Sequence, residues 1–409
     1  MTVAGQPTVN YTYDNVNRLT QITQGGSTVT IAYDAIGRRT SLTLPNGVVT
    51  EYGYDNASQL TSLTYKQGTT TLGDLTYDYD AAGRRTSMGG SFARSLTPQG
   101  VGAANYNAGN QQLGFGSQTL TYDLNGNLLS DGANSYTWDA RDRLVSMTGP
   151  GVNASFQYDA RGRRSNKTVN GTTTSFLYDG LNIVQELDGS SDTHMLTGGL
   201  DEVFLRTSGA STSSLLQDGL GSLVSSTDSN GALQGEYTYG AFGATATTGE
   251  TNGNSSQYTG RENDGTGLYY YRARYYSPAL QRFVSEDPIR LHGGINFYAY
   301  VNNNPVNYVD PLGEATLQVG IAGSYIAGIV SGNASIGLCI DGSGNVGWYW
   351  EAGGGGGLGA GGAVGVAVHG SNAQDITDLG GPFNNGSVGA GDGLDASLDG
   401  FVGNSPHGR

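Results

Sequence analysis

The sequence predicts an all-β chain of short strands and tight turns, on three observations. Glycine supplies 68 of the 409 residues, more than twice its usual share of about 7%. Tyrosine outnumbers phenylalanine by 26 to 10, and charged residues are only 13% of the chain, a balance that suits pleated, half-buried surfaces better than helices. The third observation is a repeat of about twenty residues with period-two alternation of aromatic side chains, as a strand requires.

The repeat begins as YTYDNVNRLTQI at Tyr11 and returns as IAYDAIGRRTSL at Ile31, YGYDNASQLTSL at Tyr52 and YDYDAAGRRTSM at Tyr77. It resumes as LTYDLNGNLLSD at Leu120, YTWDARDRLVSM at Tyr136 and FQYDARGRRSNK at Phe156, then fades as FLYDGLNIVQEL at Phe176. Each unit reads as a hairpin. The aromatic pair lies on one strand face, the Asp caps a turn closed by Asn or Gly, and Arg and Thr lead into the return strand. One unit is too small to bury a core, so units must stack into one long sheet. Its Tyr and Asp are either packing and turn residues or an exposed carbohydrate-binding face, and their adherence to the structural period favours packing. The Arg pairs at 38–39, 84–85 and 163–164 are expected to be solvated or paired with the nearby Asp, each contributing little.

Residues 87–119 break the period and predict an insertion with irregular strands. From Ser214, two hairpins are expected with turns at Asp218-Gly219 and Ser229-Asn230-Gly231. Gly260 to Gly313 is then the densest run of aromatics, arginines and turn signals in the chain. Beyond it the composition changes to stretches such as GGGGGLGAGGAVGVAVHG. There Ile336, Leu338 and Ile340 face Val346, Trp348 and Trp350 across a Gly-rich turn, predicting a hairpin; Val364, Val366 and Val368 continue the pattern. The apolar stretch from Leu317 to Val330 is interrupted by Gly320, Gly323 and Gly328, so no membrane span is expected.

The charge sum of −15 repels phosphate backbones, so nucleic-acid binding by the repeat region is disfavoured. The single cysteine, Cys339, excludes an internal disulfide and any cysteine-based zinc site. Nothing in the sequence calls for a cofactor or a metal. His292, His369 and His407 are isolated. The first residues, MTVAGQPTVNYTYD, show neither a basic start nor an apolar run, so an export signal is expected on a segment further upstream.

Three stretches taken in order carry a family likeness: QDGLGSLVSSTDSNGALQGEYTYGAFG, GLYYYRARYYSPALQRFVSEDP and NFYAYVNNNPVNYVDPLG. They resemble the core domain that closes proteins of the RHS family (rearrangement hotspot, or YD-repeat), and with the repeats the resemblance spans about residues 10–313. It implies YD hairpins forming a spiral, shell-like sheet over residues 1–200, capped by an RHS core over 201–313. A variable, Gly-rich β tail, a toxin cargo in such proteins, occupies 314–409. It further implies an aspartyl autoprotease that cuts behind a DPxGL motif, here DPLGE with Glu314 in place of Leu.

By that likeness Asp287 is one catalytic carboxylate, Asp264 its partner, and Arg282 the group that polarises the carbonyl or braces a carboxylate. Two readings stand for Asp287-Pro288, catalysis or a plain turn; for Asp310-Pro311 the turn is favoured. The function implied is the C-terminal part of a polymorphic RHS toxin, secreted or at the cell surface. Its partners would be its own C-terminal region as enclosed cargo, an immunity protein and secretion machinery. The rival is a surface or wall-associated YD-repeat protein that binds glycans or other cells.

Overall fold

The computed structural model describes residues 1–314 except 4, 98–99, 190–191 and 252. Beyond them it describes, by backbone alone, the strands Leu317–Gln318, Gly332–Ile340, Val346–Gly354, Phe383–Val388 and Leu398–Gly403. Among the described residues every regular element is a strand or a single-turn 3-10 helix; the chain is all-β.

Consecutive strands pair antiparallel with their neighbours in sequence. Eight strands from Val9–Tyr13 to Arg85–Gly89 form one open sheet, and fourteen from Thr121–Tyr122 to Thr245–Gly249 form a second. The second of these sheets thus runs without interruption past residue 200. Residues 87–119 are the interruption the lost period predicted, and carry a separate three-stranded sheet of Ala104–Tyr106, Gln112–Phe115 and Gln118–Thr119.

The YD unit works as a staple. Asp159 accepts the backbone N–H groups of Arg161 and Arg163 on one oxygen, both at 2.9 Å, and the Nε of Arg163 on the other at 2.8 Å. The same cap recurs at Asp14, Asp34, Asp80 and Asp139. Each turn places one residue in the left-handed region, Asn17 at φ 60°, Gly37 at φ 90° and Asp142 at φ 58° for instance, which is why Asn, Gly or Asp stands there.

The Arg then reaches the next unit. Arg18, Arg38, Arg143 and Arg163 lie 4.6–4.9 Å from the ring centroids of Tyr33, Tyr54, Tyr158 and Tyr178, a cation–π contact. The Tyr hydroxyls donate back to main-chain carbonyls of the preceding unit, as Tyr33 to Leu19 at 2.9 Å and Tyr158 to Leu144 at 2.7 Å. A register shift falls at each anchor, for example between Gln157 and Tyr158; such bulges bend and twist the sheet. Replacing Tyr158 by Ala removes the ring, its hydrogen bond and the seat of Arg143, so we expect a loss of roughly 3 kcal/mol in denaturant unfolding. An unchanged midpoint would mean that the ring is not part of the packing.

The second arginine of each pair behaves differently from expectation. Arg39 is buried against Glu202 and Arg164 against Asp264, while Arg85 lies over the ring of Tyr77. These positions alternate inward, toward the apolar face, which the Arg pair conceals in sequence. That face is extensive. Ile22, Val29, Leu63 and Tyr65 of the first sheet share a core with Phe204, Leu216 and Val224 of the second. A second core joins Leu128, Leu144 and Phe156 to Leu268, Tyr270, Tyr275 and Val284 of the segment after residue 260.

That segment is a four-stranded sheet from Glu262–Asn263 to Arg282–Phe283, followed by turns. Its own core is aromatic: Tyr258, Tyr269, Tyr271, Tyr276, Phe283 and Tyr300, with Tyr276 and Tyr300 at 4.5 Å between centroids. Residues 328–409 form a separate compact unit. In it Gly332–Ile340 pairs with Val346–Gly354, placing Ile336 opposite Trp350 and Leu338 opposite Trp348, the expected hairpin. The expected strand at Val364–Val368 and most of the Leu317–Val330 stretch lie outside the described residues, as do His369 and His407. No helix among the described residues is long and apolar enough to cross a membrane.

Candidate active site at the end of the core

The strand Arg274–Ser277 is the return half of a tight hairpin with Tyr269–Tyr271. Arg274, at its start, is 3% exposed, and its guanidinium stacks 3.7 Å from the ring centroid of Phe283. That ring fixes the plane of the fork. Its edges then reach Asp287 Oδ2 at 2.8 Å, Asp310 Oδ2 at 3.4 Å and the carbonyl of Phe297 at 2.9 Å. Its Nε also donates to the carbonyl of Gly313. One cation therefore gathers two aspartates and the main chain at the end of the core.

Asp287 follows the strand Arg282–Phe283 and opens the 3-10 turn Arg290–Gly293, with Oδ1 accepting the N–H of Ile289 at 3.0 Å. Burial pushes its carboxyl above the usual aspartate range, against the pull of Arg274. Asp310 caps its own turn: Oδ1 accepts the N–H groups of Gly313 at 2.8 Å and Glu314 at 3.1 Å. Gly313 sits at φ 70°, where a Cβ would collide with the carbonyl of Tyr271. Asp310 is thus the turn former that was expected, and also a neighbour of Asp287 across Arg274.

Gly293 closes the other side. A Cβ there would overlap Asp287 Oδ2 and come within 3.0 Å of the Glu314 carbonyl oxygen, so the glycine lets the carboxyl and the outgoing chain approach. We expect Gly293→Ala to displace one of them and slow any reaction here by roughly tenfold or more, as small misplacements do. The melting temperature should change little, and a variant that reacts at the parental rate would show that this approach does not matter. Arg272, one residue before the pair of strands closes, donates to the carbonyl of Pro311 and is held by Asp201 at 2.5 and 3.0 Å. It ties the DPLG turn to the fourteen-stranded sheet.

The other two residues singled out in the sequence lie elsewhere. Asp264 is fully buried between Arg164, whose Nη2 lies 2.9 Å from Oδ1, and Lys167 at 3.1 Å. Although burial pushes the other way, these cations hold its carboxyl below the ordinary aspartate range. Arg282 donates to the carbonyl of Asn110 at 2.7 Å and lies over the rings of Tyr106 and Tyr298. The structure records no contact of either with Asp287. Sequence reasoning passed over Arg274; the signal was the pair of alternating arginines in YYYRARYYS, both of which reach the DPLG turn.

The family model Teneurin YD-shell matches residues 46–306. The chain belongs to the YD-shell family. The YD-shell chain is 34% identical over 276 residues to the tRNA3(Ser)-specific nuclease WapA of Bacillus spizizenii, a match covering 64% of this chain and 12% of that protein. It is 28% identical over 389 residues to the double-stranded DNA deaminase toxin A of Burkholderia cenocepacia, covering 79% of this chain and 26% of the other. Among solved structures, TcdB2-TccC3 without its hypervariable C-terminal region superposes with a TM-score of 0.57 at 21% identity, over 75% of this chain and 20% of that one. The chain therefore spans only a small part of the length of these relatives, and the last likeness concerns the fold.

Proposed function

We propose that this YD-shell chain is the C-terminal part of a polymorphic toxin. Its sheets enclose a variable C-terminal cargo, and its core cuts that cargo free by aspartyl autoproteolysis. The observation that carries the reading is the pair of aspartates held by one buried arginine beside the first residue of the tail. Relatives named as a nuclease and as a deaminase toxin favour a toxin over a glycan-binding surface protein. The partners are then the tail itself, an immunity protein and a secretion route, with the protein secreted or displayed at the cell surface.

Cleavage is assigned to the bond after Glu314, whose carbonyl approaches Asp287 across Gly293. Water adds to the Glu314 carbonyl carbon; Asp310 takes its proton, and Asp287, the protonated member, donates to the carbonyl oxygen. Arg274 stabilises the negative charge that develops. The C–N bond breaks as Asp310 passes the proton it took to the Ala315 nitrogen and the diol returns one to Asp287, leaving a new carboxyl at Glu314 and a new amine at Ala315. Asp264 and Arg282 take bracing roles, Asp264 as the counter-ion that docks the core on the repeats and Arg282 as the post beneath the 104–119 insertion.

The test is the intact mass of the purified chain against time. Asp287 serves as acid only while protonated, so cleavage should be faster in mild acid and decline as pH rises through the raised carboxyl pKa. A chain that stays whole at every pH from about 4 to 8 would remove the protease and leave the shell.

A further inference from the structure

The turn that leads to Glu314 is gripped through its main chain. Pro311, Leu312 and Gly313 give their carbonyls, in order, to the side chain of Arg272, the N–H of Ala273 at 3.1 Å and the Nε of Arg274. These contacts fix only the upstream side of the bond after Glu314. A bond poised for attack must be fixed downstream as well. Two residues further on, past Ala315 and Thr316, the chain enters the strand Leu317–Gln318. That strand pairs antiparallel with Tyr308–Val309, with Leu317 facing Val309 and Gln318 facing Tyr308.

We propose that Tyr308–Val309 is the downstream substrate-binding strand of the self-cleavage, and that Leu317 is the positioning residue it holds. The inference rests on the autoprotease reading and deepens it. The binding strand is firmly seated. Val309 is 2% exposed, and Tyr308 packs against the aromatic core of Tyr258, Tyr271 and Tyr300. Asn307, just before the strand, accepts the N–H of Arg85 in the first sheet at 2.7 Å. In an antiparallel pair, facing residues alternate between exchanging both main-chain bonds and exchanging neither. The N–H of Tyr308 goes to the carbonyl of Asn304 at 3.2 Å, which leaves Val309 and Leu317 as the exchanging pair. Recognition of this kind requires the bound segment to run extended and to offer one N–H and one carbonyl, whatever its side chain. The substrate is thus read downstream by its backbone, at a fixed distance from the cut.

Self-cleavage of the full chain would be followed by intact mass for the parent, Leu317→Pro, Leu317→Ala and Gln318→Pro. Each would be measured from acid to alkaline pH, with a melting curve beside it. Leu317→Pro removes the N–H that the Val309 carbonyl accepts, Leu317→Ala keeps it, and Gln318→Pro removes one that points away. The expected result is that Leu317→Pro cuts roughly tenfold more slowly by the same factor at every pH, with an unchanged melting temperature. Leu317→Ala and Gln318→Pro should cut within about twofold of the parent. A general effect of proline on folding would slow both proline variants, so each controls the other. A parental rate in Leu317→Pro, or equal slowing by the two prolines, would overturn the pairing at Leu317 while leaving the protease in place. Slowing by Leu317→Ala as large as that by Leu317→Pro would overturn it too, because the side chain would then be what is read. If neither the parent nor any variant cuts at any pH, the protease itself falls and this inference with it.

Discussion

Asp287→Asn is expected to leave the chain whole while the parent splits into a core-bearing fragment and Ala315–Arg409. Asn cannot supply the proton, and removal of a general acid typically costs about 10²–10⁴-fold in rate. The fold should survive. Asn still accepts from the N–H of Ile289, and Arg274 keeps Asp310 and two carbonyls. The electrostatic sign agrees. The folded-state pKa of Asp287 is raised, so whatever stability its titration contributes is complete below the unfolded value and lost as pH rises through the folded one. Asp310→Asn should also block cleavage, with some cost to the turn it caps. Equal cleavage by parent and Asp287→Asn would end the acid role.

Asp264→Asn should behave in the opposite way, with a large loss of stability and no specific loss of cutting. Arg164 has no exposed side-chain surface, and its Nε already lacks a partner. Without the carboxylate, two cations, Arg164 and Lys167, are left facing a neutral amide. Breaking a buried pair in this manner costs about 3–5 kcal/mol, read as a lower denaturant midpoint. Here the folded pKa is lowered, so the contribution is present above the unfolded value and lost as pH falls through the folded one. Acid should therefore weaken the parent more than the variant. A variant of parental stability that no longer cuts would restore Asp264 as the catalytic partner of Asp287.

The repeats were legible in the sequence because everything that makes them is local. The Asp cap, the left-handed turn residue and the Arg four positions later all lie within one hairpin. What the Arg does next was harder to see, since Arg163 grips Tyr178 in the following unit. The arginines at 39 and 164 were misjudged for the same reason, their acids lying 163 and 100 residues away. At the site, Asp287 and the turn at Asp310 could be read from Asp-Pro chemistry. Their meeting could not, because Arg274, 36 residues before Asp310, brings them together through a hairpin and a phenylalanine ring. Spacing carries no trace of such a contact.

The strict neighbour-to-neighbour order of the two large sheets also dictates a sequence of events. Each hairpin takes its main-chain partners from the strand just made, so the sheets can pair from the amino end as the chain emerges, and the inner face of the first is closed when Phe204, Leu216 and Val224 arrive. The segment after residue 260 cannot. Tyr270 and Tyr275 pack on Leu144 and Phe156, Asp264 needs Arg164, and Arg272 needs Asp201. Its carboxyls are therefore assembled only after the walls stand, so that under the proposed autoproteolysis a severed chain is one whose walls were already built.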